Sequence, residues 1–202
     1  IRWFSPLKEV GLCGHATLAA SRVLFDHSDY QSKDQIVFKS GRGPLSARIN
    51  DEMIFLDFPI DEPHVQEFSE SEKLFGYESR AVFCGQDDYL FIFDDEKIIT
   101  EIKPNFELLS QLDKRGAIIS ARSENYDFVS RCFFPNYGID EDPVTGSAHT
   151  LLAPYWSLEL NKKDLIAKQL SKRGGILHLT VNDDRVNIGG RTSVFLKGEI
   201  IL

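Results

Sequence analysis

The stretch GIDEDPVTGSAHTLLAPYW, residues 138–156, runs from two acids through a proline and a small-residue turn into a long apolar segment. A helix beginning near Gly146 leaves its first backbone N–H groups without partners inside the helix, and they point back towards Glu141 and Asp142. The same geometry makes the helix start a place for an anion. Two readings share the observation: the acids merely cap a helix, or they flank an anion site. Residues 146–160 are apolar on nearly every face, which suits a helix enclosed by sheet.

A second stretch has the same form. GHATLAASRVLF, residues 14–25, is also apolar around most of its circumference, and Gly14-His15-Ala16-Thr17-Leu18-Ala19 parallels Gly146-Ser147-Ala148-His149-Thr150-Leu151. An acid precedes each: Glu9 in one case, Glu141 with Asp142 in the other. This weak internal repeat implies two β-rich halves, each wrapped round a central helix, whose helix starts face one another across a cleft suited to a carboxylate.

The rest of the chain reads mostly as short strands. QIVFKSGRGPLSARINDEMIFLDFP (35–59) gives three antiparallel strands, and AVFCG, YLFIF and GAIISAR continue the pattern. ILHLTVNDDRVNIGG (176–190) sets an Asn-Asp-Asp turn between two strands, and VFLKGEIIL (194–202) reads as a Gly-centred hairpin. Surface helices are expected over 67–76, with Ser69 as cap, and over 105–114, with Asn105 as cap. A further helix is expected over 162–175, ended by basic residues and a glycine pair. Pro154 should kink the second central helix, and Tyr155-Trp156 should pack in the core. SGRGP (40–44) is a hairpin turn, because it lacks the Lys and following helix of a phosphate loop.

Composition narrows the function. With 202 residues and 42% hydrophobic content, the chain can build one large or two small cores. A net charge of −8, with no cluster of Lys and Arg interleaved with aromatics, argues against nucleic acid and anionic membrane surfaces as partners. Apolar runs far shorter than a membrane span, and no basic-then-apolar leader, point to a cytoplasmic protein. Cys13, Cys84 and Cys132 are odd in number and widely spaced, as expected of reduced thiols. His27, His64, His149 and His178 show no metal-ligand spacing, so no metal is expected. The opening IRWFSP has no Met, and Ile1, Trp3 and Phe4 read as a strand already under way, so a preceding segment is expected.

Around the proposed cleft stand two groups able to move protons, His15 and Asp142, and the Ser147 hydroxyl. Small residues at the helix starts, Gly14 and Ala16 in one, Gly146 and Ala148 in the other, let a ligand approach backbone N–H groups. A base, an acid and an anion stabiliser are what proton abstraction along a carboxylic acid needs, without a cofactor. Each residue also has a plainer reading. His15 fits a satisfied core or capping histidine, Ser147 a simple cap, and Glu9 an answer to the helix dipole. Cys13, just before Gly14, reads as a small buried residue, with a reactive thiol as the lesser alternative.

EVGLCGHATLAA (9–20) and FFPNYGIDEDPVTGSAHTLLAPYW (133–156) resemble the phenazine-biosynthesis-like (PhzF-like) isomerase family, which shares the diaminopimelate epimerase fold. DFVSR (127–131), QLSKRGG (169–175) and VNIGGRTSVFLKGEI (186–200) extend the resemblance over essentially the whole chain. It implies two similar halves with the active site between them, a cofactor-independent isomerase or epimerase, and a homodimer. It also implies active-site positions for His15, Asp142 and Ser147, and helix-start glycines at Gly14 and Gly146. One departure stands out: the family's main acid/base glutamate belongs to a Ser-Glu segment upstream of the strand equivalent to IRWFSP, and nothing in this sequence matches it. Ser69-Glu70 and Ser71-Glu72 lie in a predicted surface helix in the wrong place and do not take that role.

The expected architecture is therefore α+β: two similar halves, each a curled, mostly antiparallel, barrel-like sheet around a central helix. The division is 1–100 and 101–202, with the chain end free to return to the first half. The expected function is proton transfer on a small carboxylated metabolite. The alternatives are a non-catalytic dimeric binding or scaffold protein, and a thiol-dependent epimerase or dehydratase using Cys13.

Overall fold

Alternation of inward and outward side chains, which marks a strand with two unlike faces, is clearest in MIFLDFP. Ile54, Leu56 and Phe58 are buried and the residues between them only partly covered. The computed structural model describes residues 1–4, 9–27, 29–30, 34–41 and 43–198. Its first part holds β1 (Trp3–Phe4), β2 (Glu9–Val10), α1 (Gly14–Phe25), β3 (Gln35–Ser40), β4 (Gly43–Asn50) and β5 (Met53–Pro59). Next come β6 (His64–Val65), α2 (Ser71–Phe75), β7 (Ala81–Cys84), β8 (Asp88–Ile92), α3 (Glu96–Glu101) and α4 (Phe106–Leu109). The last part holds β9 (Gly116–Arg122), β10 (Phe128–Phe133), α5 (His149–Leu160), β11 (Asp164–Gln169), β12 (Gly175–Asn182) and β13 (Arg185–Arg191).

Among the described residues, eleven strands form one sheet in the order β3-β4-β5-β13-β12-β11-β10-β9-β8-β7-β6, and β1 pairs with β2 alone. The α+β class is as expected, but the strands are joined where two separate curled sheets were anticipated. Two pairings make the join. β13 returns to lie antiparallel to β5, Val186 opposite Phe58, and β8 lies parallel to β9, Leu90 opposite Ile118. The strand order is open, ending at β3 and β6, rather than closed as a barrel.

α5 is the enclosed helix the sequence implied. Every residue from His149 to Trp156 is buried, Trp156 stacks on Phe128 with centroids 5.5 Å apart, and its indole N–H donates to Ser120 Oγ at 2.9 Å. The helix begins three residues after Gly146, with 146–148 forming a turn that leads into it. α1 differs from expectation. It buries Gly14, Thr17, Ser21 and Phe25 against the sheet and leaves Val23 65% exposed, so it lies on the sheet instead of inside it. Two hydroxyls face inward because each bonds within the helix: Thr17 Oγ1 donates to the Cys13 carbonyl and Ser21 Oγ to the Thr17 carbonyl, both at 2.7 Å. Counting apolar faces alone hides that arrangement.

The helix expected over 162–175 is strand β11. Leu165, Ala167 and Gln169 point inward while Asp164 and Ile166 are exposed, a period of two that pairing with β10 and β12 imposes over the helical leaning of Lys, Leu and Gln. α2 is capped at Glu70 without a side-chain bond, so Ser69 is not its cap; Asn105 does cap α4, accepting from Leu108 N at 3.1 Å. α3, capped by Asp95, was not anticipated. Of the hairpin expected over 194–202, residues 194–198 form no strand and 199–202 lie outside the described residues.

Candidate active site

The loop between β10 and α5 carries Asp142, and three anchors hold it. Asp142 N donates to the Cys132 carbonyl at 3.0 Å, tying the loop to the strand it has just left. The buried Gln169 side chain spans the loop: its Oε1 accepts from Thr145 N at 2.8 Å and its Nε2 donates to the Asp142 carbonyl at 2.7 Å. Thr145 Oγ1 donates to the Asp142 carboxylate. Behind them, His149 Nδ1 bonds the Thr145 carbonyl at 2.7 Å, so the proton sits on Nδ1, because a carbonyl oxygen only accepts. Burial drives the His149 pKa down to about 4 against that hydrogen bond, which keeps the ring neutral.

The start of α1 and the turn leading into α5 meet at bare backbone. A Cβ on Gly14 would stand 2.6 Å from Gly146 Cα, and a Cβ on Gly146 would stand 2.8 Å from Gly14 Cα. Only glycine at both positions permits this approach. His15 follows in the first turn of α1, exposed at the mouth of the site, with ring nitrogens 3.7 and 3.9 Å from Cys13 Sγ. The hydrogen bond with Cys13 raises its pKa above the ordinary histidine value; partial burial opposes this, and the nearby charge of Asp142 adds to it. Ser147 is half-buried, and its Oγ accepts from Arg115 Nη1 at 3.1 Å.

These groups enclose a cavity of about 70 Å³, with Cys13, Gly14, His15, Asp142, Gly146 and Ser147 on its polar side. Leu12, Phe134, Tyr137 and Ile139 form the apolar wall. A larger polar cavity of about 410 Å³ adjoins it, sharing Leu12, Arg115 and Ser147. The structure thus brings together His15, Asp142, Ser147, Gly14, Gly146 and Cys13. Glu9, Ala16 and Ala148 do not line the small cavity, and Glu9 instead pairs with Arg2 at 2.7 Å on the surface. Cys132 is buried, and burial raises its thiol well above the ordinary value, so it makes no second reactive thiol. Among the described residues no three His, Cys, Asp or Glu side chains group to hold a metal ion, and no helix is long and apolar enough to cross a membrane.

Sequence reasoning missed four residues: Arg115, Asp88, Thr145 and Gln169. Thr145 stands within the quoted motif, and its position three residues after Asp142 was the available signal. Arg115 and Asp88 are 27 residues apart and meet only because β8 and β9 are parallel neighbours.

A large mixed sheet with few helices defines an α+β protein, and an acid, an imidazole and a hydroxyl line one of its cavities. A structure titled as a predicted epimerase from Pseudomonas aeruginosa shares that fold, with a TM-score of 0.69 over 100% of this chain and 78% of its own, at 15% identity. The sequence profile of the family described as phenazine biosynthesis-like protein matches residues 1–198, and the chain belongs to that family. A protein of Halalkalibacterium halodurans, named an uncharacterized isomerase, is 43% identical over 100% of this chain and 78% of its own length. A crystal structure of a PhzF-family phenazine biosynthesis protein from Enterococcus faecalis matches with a TM-score of 0.91 and 42% identity, over 100% of this chain and 77% of its own.

Proposed function

We propose that the protein is a cofactor-independent isomerase that moves a proton on a small carboxylated metabolite. The observation that carries this reading is the contact of Gly14 with Gly146, which sets the start of α1 and the turn into α5 at one small cavity lined by His15 and Asp142. Backbone N–H groups there, with the Ser147 hydroxyl, suit a carboxylate and the extra negative charge it gains when an adjacent C–H is ionised. In this reading Asp142 takes the proton, the electron pair spreads onto the carboxylate, and protonated His15 returns a proton to the carbon skeleton. The raised His15 pKa supports its share, since the Cys13 bond and the Asp142 charge favour the protonated ring. A cytoplasmic homodimer is part of the same proposal, by family membership.

A thiol route has one observation in its favour, Cys13 Sγ within 3.9 Å of both His15 ring nitrogens. Epimerisation through two thiols lacks its second member here, because Cys132 is fully buried. Incubation in deuterium oxide with a panel of 2-amino, 2-hydroxy and β,γ-unsaturated carboxylic acids, read by proton NMR, tests the proposal. Loss of a carbon-bound proton signal from one acid is expected, retained in Cys13→Ala and abolished in Asp142→Asn. Exchange that survives Asp142→Asn, or no exchange with any acid, overturns it.

A further inference from the structure

Arg115 stands at the wall between the small and the large cavity, and its surroundings define a single task. Its guanidinium is forked onto the Asp88 carboxylate, Nε to Oδ1 at 2.8 Å and Nη2 to Oδ2, and it lies over the Phe134 ring at 4.5 Å from the centroid. Asp88 is buried and Arg115 largely covered, with side chains 4% and 14% exposed. A buried ion pair of this kind is a poor way to add stability, because desolvation offsets most of the attraction. What the fork and the stacking do supply is a fixed direction for Nη1, which donates to Ser147 Oγ at 3.1 Å.

A hydroxyl that accepts from a guanidinium turns its own hydrogen away from that donor. Ser147 lines both cavities, so the hydrogen is left free to point into the site. We propose that Arg115, held by Asp88, is a positioning residue that sets Ser147 as a donor to the bound carboxylate. The inference rests on the carboxylate-binding reading above. Arg115 itself is not the anion ligand, since Asp88 neutralises it.

Acetate is small enough for the cavity and serves as the probe, its dissociation constant read from the Gly14 and Gly146 amide resonances. Arg115→Lys keeps a charge beside Asp88 and gives up the fixed Nη1 donor. It should weaken acetate binding about five-fold in the Ser147 background, the scale of one hydrogen bond. In the Ser147→Ala background the same change should cost less than about two-fold, because the effect passes through the hydroxyl. The double variant Asp88→Asn with Arg115→Gln, which removes both buried charges together, should repeat the pattern if Arg115→Lys unfolds. Equal losses in both backgrounds, or none in either, overturn the positioning role. Failure of the unsubstituted chain to bind acetate overturns the carboxylate site itself, and the inference with it.

Discussion

Gly14 and Gly146, 132 positions apart in the chain, touch backbone to backbone: an added Cβ on either would fall within 2.8 Å of the other's Cα. No rotamer relieves such a clash, since Cβ position is fixed by the backbone. Gly14→Ala and Gly146→Ala must each push α1 away from the turn into α5. Each should cost about 2–4 kcal/mol of stability, as overpacking against unyielding atoms does. Urea unfolding midpoints measure this; a change within about 0.5 kcal/mol, the range of ordinary surface substitutions, would show that the helix starts are not in contact.

Gln169 holds the Asp142 loop through the backbone on both sides of the acid. Gln169→Leu strips a buried N–H at Thr145 and a buried carbonyl at Asp142 of their partners. Stability should fall by about 3 kcal/mol, one to two unpaired buried groups. Exchange with the active acid should fall as well, because Asp142 loses its fixed position. Unchanged exchange alongside reduced stability would limit Gln169 to a structural role.

The motifs around these residues were the legible part. The start of α1 at Gly14 and the three-strand run over 35–59 follow from local order of residue types, whereas α5 starts at His149, three residues after the expected Gly146, and the meeting of His15 with Asp142 and Ser147 in one cavity depends on packing between distant segments. Strand β11 was misread because Asp164 to Gln169 carries helix-forming residues, and only its neighbours β10 and β12 make it a strand. The single open sheet was hidden for a related reason: whether β13 pairs with β5 depends on where the chain returns, which no local pattern encodes. Arg115 and Gln169 lay beyond reach because the hydrogen-bond partners of their side chains are 24 or more residues away.

His15 titrates above an ordinary histidine because Cys13 bonds its ring, with Asp142 adding to the shift. A group whose pKa rises on folding stabilises the fold fully below its unfolded value and loses that contribution as pH climbs through the folded one. NMR titration of the His15 ring proton should therefore give a midpoint above 6.5, and Cys13→Ala should lower it. A midpoint that Cys13→Ala leaves unmoved assigns the shift to Asp142 instead.

His149 has the opposite sign. Its ring is fully buried against Phe128, its Nε2 has no hydrogen-bond partner, and its pKa falls from 6.5 to about 4. The unfolded chain therefore takes up this proton first as pH drops. Stability from the neutral ring is whole above pH 6.5 and is lost as pH falls from there towards 4, by about 3 kcal/mol. His149→Gln keeps a donor for the Thr145 carbonyl and removes the titration. The drop in unfolding free energy between pH 7 and pH 4 should then be smaller than in the unsubstituted chain by about 2–3 kcal/mol. Other carboxylates titrate in the same window in both proteins, so only the difference between the two drops reports on His149. Equal drops would mean that His149 reaches solvent, and with it that the turn entering α5 opens far more readily than the bonds of Thr145 to His149 and Gln169 imply.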